Sequence, residues 1–138
     1  MKVRLYTDGG SRGNPGPAAS GAVVKALDHG VEGEVLGEVM KYLGVTTNNQ
    51  AEYTAIIIGL EKALELGATE VDVRMDSELA TKQLNGEYKV KDQGLAKLFL
   101  QVKNLLHDFD QVTFRHVYRE QNTEADALVN SCLDNEGC

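Results

Sequence analysis

The 138-residue chain predicts an α/β domain on a five-stranded mixed sheet, with its elements in the order βββαβααβα. Three observations predict it. Three segments with a period-two alternation of apolar and polar residues come first, joined by short turns. Segments with apolar residues at helical spacing follow, interrupted by two more short strand-like runs. No segment is repeated, compositionally biased or linker-like, so a single domain over 1–138 with one core is expected.

Lys2 to Asp8 sets Val3, Leu5 and Thr7 against Arg4, Tyr6 and Asp8, as a strand with one buried face does. Gly9-Gly10-Ser11-Arg12-Gly13-Asn14-Pro15-Gly16-Pro17 is expected to be a rigid, turn-rich loop. Ser20 to Leu27 and Glu34 to Leu43 supply two more strands around the turn Asp28-His29-Gly30, giving an antiparallel meander. Thr46-Thr47-Asn48-Asn49 offers N-caps for a helix from Gln50 to Leu66 that Gly67 ends. Its Ala51, Ala55, Ile56, Leu60, Ala63 and Leu64 share one face. Val71 to Met75 reads as a short central strand. Ser77 caps a helix from Glu78 to Leu84, which Asn85-Gly86 breaks. A longer helix from Gln93 to His107 carries a stripe of Leu95, Leu98, Phe99, Val102, Leu105 and Leu106. Val112 to Tyr118 alternates as the fifth strand. Asn122 opens a last helix to about Leu133, with Ala125, Leu128, Val129 and Cys132 inward. The helices are expected on both faces of the sheet.

Composition narrows the functional classes. With 42% hydrophobic and 25% charged residues the chain reads as globular. Its longest apolar run, Ala55 to Leu60, is too short to span a bilayer, and the N-terminal residues lack a signal-peptide apolar region. A cytoplasmic monomer without membrane contact is the expectation. Cys132 and Cys138 have no partner at zinc-finger spacing, and are either free thiols or a bridge in the tail. The net charge of −7 argues against a broad basic nucleic-acid face. From Lys82 to Lys103, however, five lysines stand against two acids, so this segment is locally basic.

Four acids stand at element ends: Asp8 and Asp76 at the ends of strands, Glu52 and Asp126 in the first turns of helices. Each has an ordinary explanation, in turn formation or in the helix dipole. Together, strand ends and helix starts can converge on one edge of a sheet. Four carboxylates there would repel one another unless cations neutralised them. All-oxygen ligation suits Mg²⁺ or Mn²⁺ rather than zinc. The glycine-rich loop lacks a Gly-Lys-Ser/Thr ending, so it is not a nucleotide P-loop.

The motifs around these acids, in order, are Tyr6-Thr7-Asp8-Gly9-Gly10-Ser11 with Gly13-Asn14-Pro15-Gly16-Pro17, Thr47-Asn48-Asn49-Gln50-Ala51-Glu52-Tyr53, Met75-Asp76-Ser77, and Asn122-Thr123-Glu124-Ala125-Asp126-Ala127-Leu128. With Gln83 to Lys91, they resemble the type 1 ribonuclease H family in its compact bacterial and archaeal form, over nearly the whole chain. The resemblance implies a ribonuclease H-like fold and an endoribonuclease that cuts the RNA strand of RNA–DNA hybrids. It implies that Asp8, Glu52, Asp76 and Asp126 hold two Mg²⁺ ions, with Mn²⁺ as a substitute and Asp8 bridging both. One ion would activate water and the other would stabilise the leaving 3′ oxygen, leaving 5′-phosphate and 3′-hydroxyl ends. Asn14, Asn48, Asn49, Gln50 and Ser77 are similar to family positions that read 2′-hydroxyls and bases in the minor groove. Read locally, Asn14 makes a turn before Pro15, and Asn48 or Asn49 caps a helix.

The chain departs from the family pattern in two places. Many members carry a loop histidine before the last acidic motif, but here His116 falls inside an alternating strand, which gives it a structural role, and Arg119 lies nearer the loop position as the assisting group. The tryptophan-rich basic protrusion of some members is also missing. Lys82, Lys89 and Lys91 are then either its partial replacement or a solvated face, and affinity for the hybrid should depend on salt. Two other readings compete: a catalytically silent nucleic-acid-binding module on the same fold, and a polynucleotidyl transferase acting on DNA. The full acidic set speaks against the first, and the asparagine-rich contacts against the second.

Overall fold

The computed structural model describes Met1–Cys138. The strands are β1 (Lys2–Ser11), β2 (Gly16–Asp28), β3 (Val31–Thr46), β4 (Glu70–Met75) and β5 (Gln111–His116). The helices are α1 (Asn48–Glu65), α2 (Glu78–Leu84), α3 (Gln93–Leu106) and α4 (Thr123–Asn135), with a single 3₁₀ turn at Arg119–Gln121. The sheet order is β3-β2-β1-β4-β5, antiparallel across β3, β2 and β1 and parallel across β1, β4 and β5. The expected order βββαβααβα and the mixed sheet are both found. No helix is long and apolar enough to cross a membrane.

The main core lies on one face of the sheet. Val3 and Leu5 of β1, Ala22 and Val24 of β2, and Val71 and Val73 of β4 meet Tyr53, Ile56, Leu60 and Ala63 of α1 and Leu95 and Val102 of α3. A smaller cluster on the opposite face joins Ala19 of β2 to Val129, Cys132 and Leu133 of α4. Helices therefore cover both faces, as the two-sided apolar patterning requires.

Close approach rather than bulk seats α1. Ala51, Ala55, Gly59 and Ala63 recur every four residues and are all buried. A Cβ on Gly59 would meet Leu5 Cδ1 at 2.9 Å. Gly59 is an inward residue that the apolar pattern did not include, whereas Leu64, expected inward, is 39% exposed.

The largest departure from expectation concerns the glycine-rich segment. It is not a loop from Gly9 to Pro17: β1 continues to Ser11 and β2 begins at Gly16. Pairs Gly9↔Ser20, Gly10↔Ala19 and Ser11↔Ala18 continue the ladder. Turn-forming residues read as a loop, yet the ladder's hydrogen bonds and a helix crossing close above favour glycine in these strands. At the other end, β5 stops at His116, so Val117 and Tyr118 lie outside the strand expected to reach Tyr118. Thr47, not Asn48 or Asn49, caps α1, its hydroxyl accepting from Gln50 N–H at 3.2 Å. Both cysteines are free thiols, Cys132 buried and Cys138 exposed.

Candidate active site

Strand register brings the first two acids together. β1 and β4 run parallel, and their last pair is Thr7↔Met75. The next residues along the chain are Asp8, where β1 loses its β4 partner but continues to Ser11, and Asp76, just past the end of β4, on neighbouring strands roughly 4.8 Å apart. Crevices outside the carboxyl ends of parallel strands are where open α/β sheets bind ligands. Ser77 N-caps α2, accepting from Ala80 N–H at 3.1 Å, and so turns the chain immediately after Asp76.

Glu52 is the fifth residue of α1, past the first turn in which it was expected, because the helix already begins at Asn48. That end of the helix rests on the glycine ladder: Ser20 Oγ donates to the Ala51 carbonyl at 2.6 Å. A Cβ on Gly9 would stand 2.2 Å from the Ala51 carbonyl carbon and 2.4 Å from Glu52 N. Only glycine lets β1 pass beneath Glu52 at this distance. Asp126 comes from the first turn of α4, whose negative side chains also suit the helix dipole.

All four acids line one cavity of about 490 Å³, together with Gly9, Gly10, Asn48, Ser77, His116 and Asn130. Burial pushes Asp8 up to about 8, and the charges of Asp76 and Asp126, a hydrogen bond with Asp126 and the charge of Glu52 add to it. Burial likewise raises Glu52 to about 7; Asp76 adds to that shift, and the Ser77 hydroxyl opposes it. Glu52 Oε2 is buried without a hydrogen-bond partner. An orphaned carboxylate oxygen, four oxygen donors and mutual repulsion fit a hard divalent cation. The side chains do not already form a closed cage, since no three His, Cys, Asp or Glu groups stand at metal-holding geometry.

The remaining site residues divide. Asn48 and Ser77 line the acidic cavity, whereas Asn14, Asn49 and Gln50 line a neighbouring groove with Thr47, Asp92 and Leu95. Hydrogen bonds fix what these amides can still offer. Ser11 N–H donates to Asn48 Oδ1 at 2.7 Å, and Asn48 N–H donates to Asn14 Oδ1 at 3.1 Å. Backbone N–H can only donate, so both amide oxygens are committed and both NH₂ groups are left over. The Thr46 hydroxyl engages Gln50 Oε1 at 2.6 Å, with the same consequence. These three amides therefore keep their NH₂ groups as donors outside those bonds.

His116 was expected to be a structural strand residue. It is in β5, but as its last residue, and it lines the cavity edge-on to Tyr118 with ring centroids 5.6 Å apart. The sequence signal was its position just before the pattern breaks at Tyr118. Arg119, 79% exposed, has a guanidinium nitrogen 3.8 Å from Asp126 Oδ1. Asn130, not anticipated from sequence, sits one helical turn beyond Asp126, with Nδ2 3.4 Å from Asp126 Oδ2; its i+4 spacing was the available signal. Lys82 is engaged by Glu78 at 2.9 Å and lies over the Tyr88 ring, while Lys89 and Lys91 are exposed on the connector to α3.

Comparison with known proteins agrees with this geometry. A family profile described as reverse transcriptase-like matches residues 6–132. A bifunctional protein of Mycobacterium tuberculosis is 48% identical over 134 residues, which are 97% of this chain but 36% of that protein. Ribonuclease HI of Halobacterium salinarum is 43% identical over 96% of this chain and 65% of its own length. The chain thus spans about a third of the mycobacterial relative and just under two thirds of the halobacterial one. The crystal structure of RNase H1 from Halobacterium salinarum superposes with a TM-score of 0.92 at 42% identity, covering 98% of this chain and 99% of that one. LC11-RNase H1, solved in complex with an RNA/DNA hybrid, has a TM-score of 0.90 at 42% identity, with 99% of each chain covered.

Proposed function

Because this chain belongs to the type 1 ribonuclease H family, we propose that it is a metal-dependent endoribonuclease that cuts the RNA strand of RNA–DNA hybrids. The observation that carries the proposal is the convergence of Asp8, Glu52, Asp76 and Asp126, from four separate elements, on one cavity. These four carboxylates, Asp8 foremost among them, would hold two Mg²⁺ ions, or Mn²⁺ in their place. The cations supply neutralisation of charge at phosphorus and a more acidic water near neutral pH.

The chain's own residues do the rest. The carboxylates are placed by strand register and by helix starts, so their spacing is set before substrate arrives. Asn14, Asn48 and Gln50 offer amide NH₂ donors beside the cavity, and Asn49 extends the same row. The minor groove of a hybrid presents acceptors, namely base N3 and O2 atoms and ribose 2′-hydroxyl oxygens. A donor row matches that surface, and contact with the 2′-hydroxyl is what separates RNA from DNA. Ser77 supports Glu52 from below. Arg119 and His116 stand at the cavity's mouth, and Arg119 is the stronger candidate to assist release because it already pairs with Asp126 and is free to swing.

The test is cleavage of end-labelled RNA–DNA hybrid, duplex DNA and duplex RNA, each with Mg²⁺, Mn²⁺ or EDTA. The expected result is cutting confined to RNA in the hybrid, with 5′-phosphate and 3′-hydroxyl ends, abolished by EDTA. Binding of hybrid without cutting in either metal would favour the silent module, and cutting of duplex DNA would favour the transferase reading.

A further inference from the structure

Asn122 holds an unusual position at the start of α4. It occupies the N-cap, where an asparagine side chain ordinarily accepts from its own helix. Here its side chain makes no capping hydrogen bond. Instead Nδ2 donates across the fold to the carbonyl of Thr7, 115 residues away, at 2.9 Å, in a fully buried contact. Asn122 is 1% exposed. Its own carbonyl accepts the N–H of Asp126 at 3.1 Å.

One residue therefore touches both sides of the candidate centre. The atom it grips on β1 belongs to the residue before Asp8, and the N–H it accepts belongs to Asp126. Asp8 and Asp126 lie close enough to hydrogen-bond to each other. The other acid of α4's first turn, Glu124, is tied to Lys25 on β2 instead, at an exposed contact. Forgoing the cap has a cost, since Asn122 Oδ1 is left buried with no partner. A buried acceptor without a partner loses its hydration with nothing in return. A residue chosen only to start the helix would keep that oxygen on the helix.

We infer that Asn122 is a positioning residue for divalent-cation binding, setting the separation of Asp8 and Asp126 by tying β1 to α4. The inference rests on the proposed reading of the site as a cation centre. It works through the two carboxylates, and Asn122 itself contacts neither cation nor substrate.

The experiment compares Asn122→Ala and Asn122→Asp with the parent chain, measuring Mn²⁺ affinity by calorimetry without substrate, and thermal midpoint with and without Mn²⁺. Asn122→Asp keeps the shape but replaces the donor by an acceptor, so it must fail in the same direction. Both variants are expected to bind Mn²⁺ about tenfold more weakly, the usual scale for a hydrogen bond that orients a metal ligand. A remote core variant of similar stability loss, Val102→Ala on α3, serves as the control. Val102 is fully buried in the main core and does not line the cavity. The control is expected to keep parental Mn²⁺ affinity while melting earlier. Should either Asn122 variant not fold, the other decides. Affinity within twofold of the parent in a folded Asn122 variant overturns the inference, as does an equal loss in Val102→Ala. A parent chain that binds no Mn²⁺ overturns the cation reading of the site instead, so the two failures are distinguishable.

Discussion

Asp8→Asn is expected to lower hybrid cleavage about a thousandfold or more while making the metal-free protein more stable at pH 8. The first effect follows from its place. Asp8 sits between Asp76 on the adjoining strand and Asp126 on α4, and removing its charge takes away the group that would contact both cations, worth several kcal/mol of transition-state stabilisation. The second follows from linkage. Asp8 is raised to about 8 from 3.8, and Glu52 to about 7 from 4.5, burial being the first cause of each. In the unfolded chain both return to ordinary values. Between roughly pH 4 and 8 the folded state therefore binds more protons than the unfolded one, and stability falls as pH rises through that window. Asparagine cannot ionise, so the part of this loss due to Asp8 disappears. Melting curves in EDTA are expected to show parent and variant close together near pH 5, with the variant several degrees higher at pH 8. Near-parental cleavage would refute the central role of Asp8. A variant that melts earlier than the parent at pH 8 would refute the crowding of its carboxylate.

The second large effect is expected from Gly9→Ala, a change of one methyl group. A Cβ at Gly9 would fall 2.2 Å from the Ala51 carbonyl carbon and 2.3 Å from its oxygen. The obstacle is backbone of a helix held by Ser20 from below and by Ile56, Leu60 and Ala63 in the core, so no side chain can rotate away. Either β1 or the turn of α1 around Ala51 and Glu52 must shift. Overpacking of this kind costs on the order of 3 kcal/mol, or about 10 °C in melting temperature for a chain of this size. Because the displaced turn carries Glu52, the folded fraction should also lose activity, and about a hundredfold loss is reasonable for a misplacement near 1 Å. Gly10→Ala is the matched comparison. A Cβ there meets its nearest neighbour, Val129 Cγ1, at 3.9 Å, an ordinary contact, so far milder effects are expected. Equal stability and activity for the two variants would contradict the close approach at Gly9.

Much of this arrangement was legible in the sequence because it depends on local periodicity. The alternation at Val3, Leu5 and Thr7 placed β1, and the stripe from Leu95 to Leu106 placed α3. The four acids were found because each sits at the end of a periodic segment. What local pattern could not reveal was the contact between segments. Gly9, Gly10 and Gly16 read as loop formers, because glycine's tolerance of turns is visible in sequence, whereas the helix backbone close against Gly9 and the Arg12 and Gly13 carbonyls close against Gly16 are not. Leu64 matched the helical stripe of α1 but is partly exposed, while Gly59, which has no apolar side chain to count, is buried close against Leu5 and Ala22. Asn122 read as an ordinary helix cap, and its bond to Thr7 depends on a strand 115 residues away. His116 was assigned to a strand correctly in conformation, but whether a strand's last residue lines a cavity depends on which strands lie beside it.

The claim on which these expectations depend is that the four carboxylates form one divalent-cation centre. Anomalous diffraction from crystals of the intact chain bound to RNA–DNA hybrid in Mn²⁺ tests it most directly. The expected result is two manganese peaks within the cavity, both in contact with Asp8 and sharing Glu52, Asp76 and Asp126 between them. Hybrid bound at full occupancy with no manganese peak at these carboxylates would contradict it.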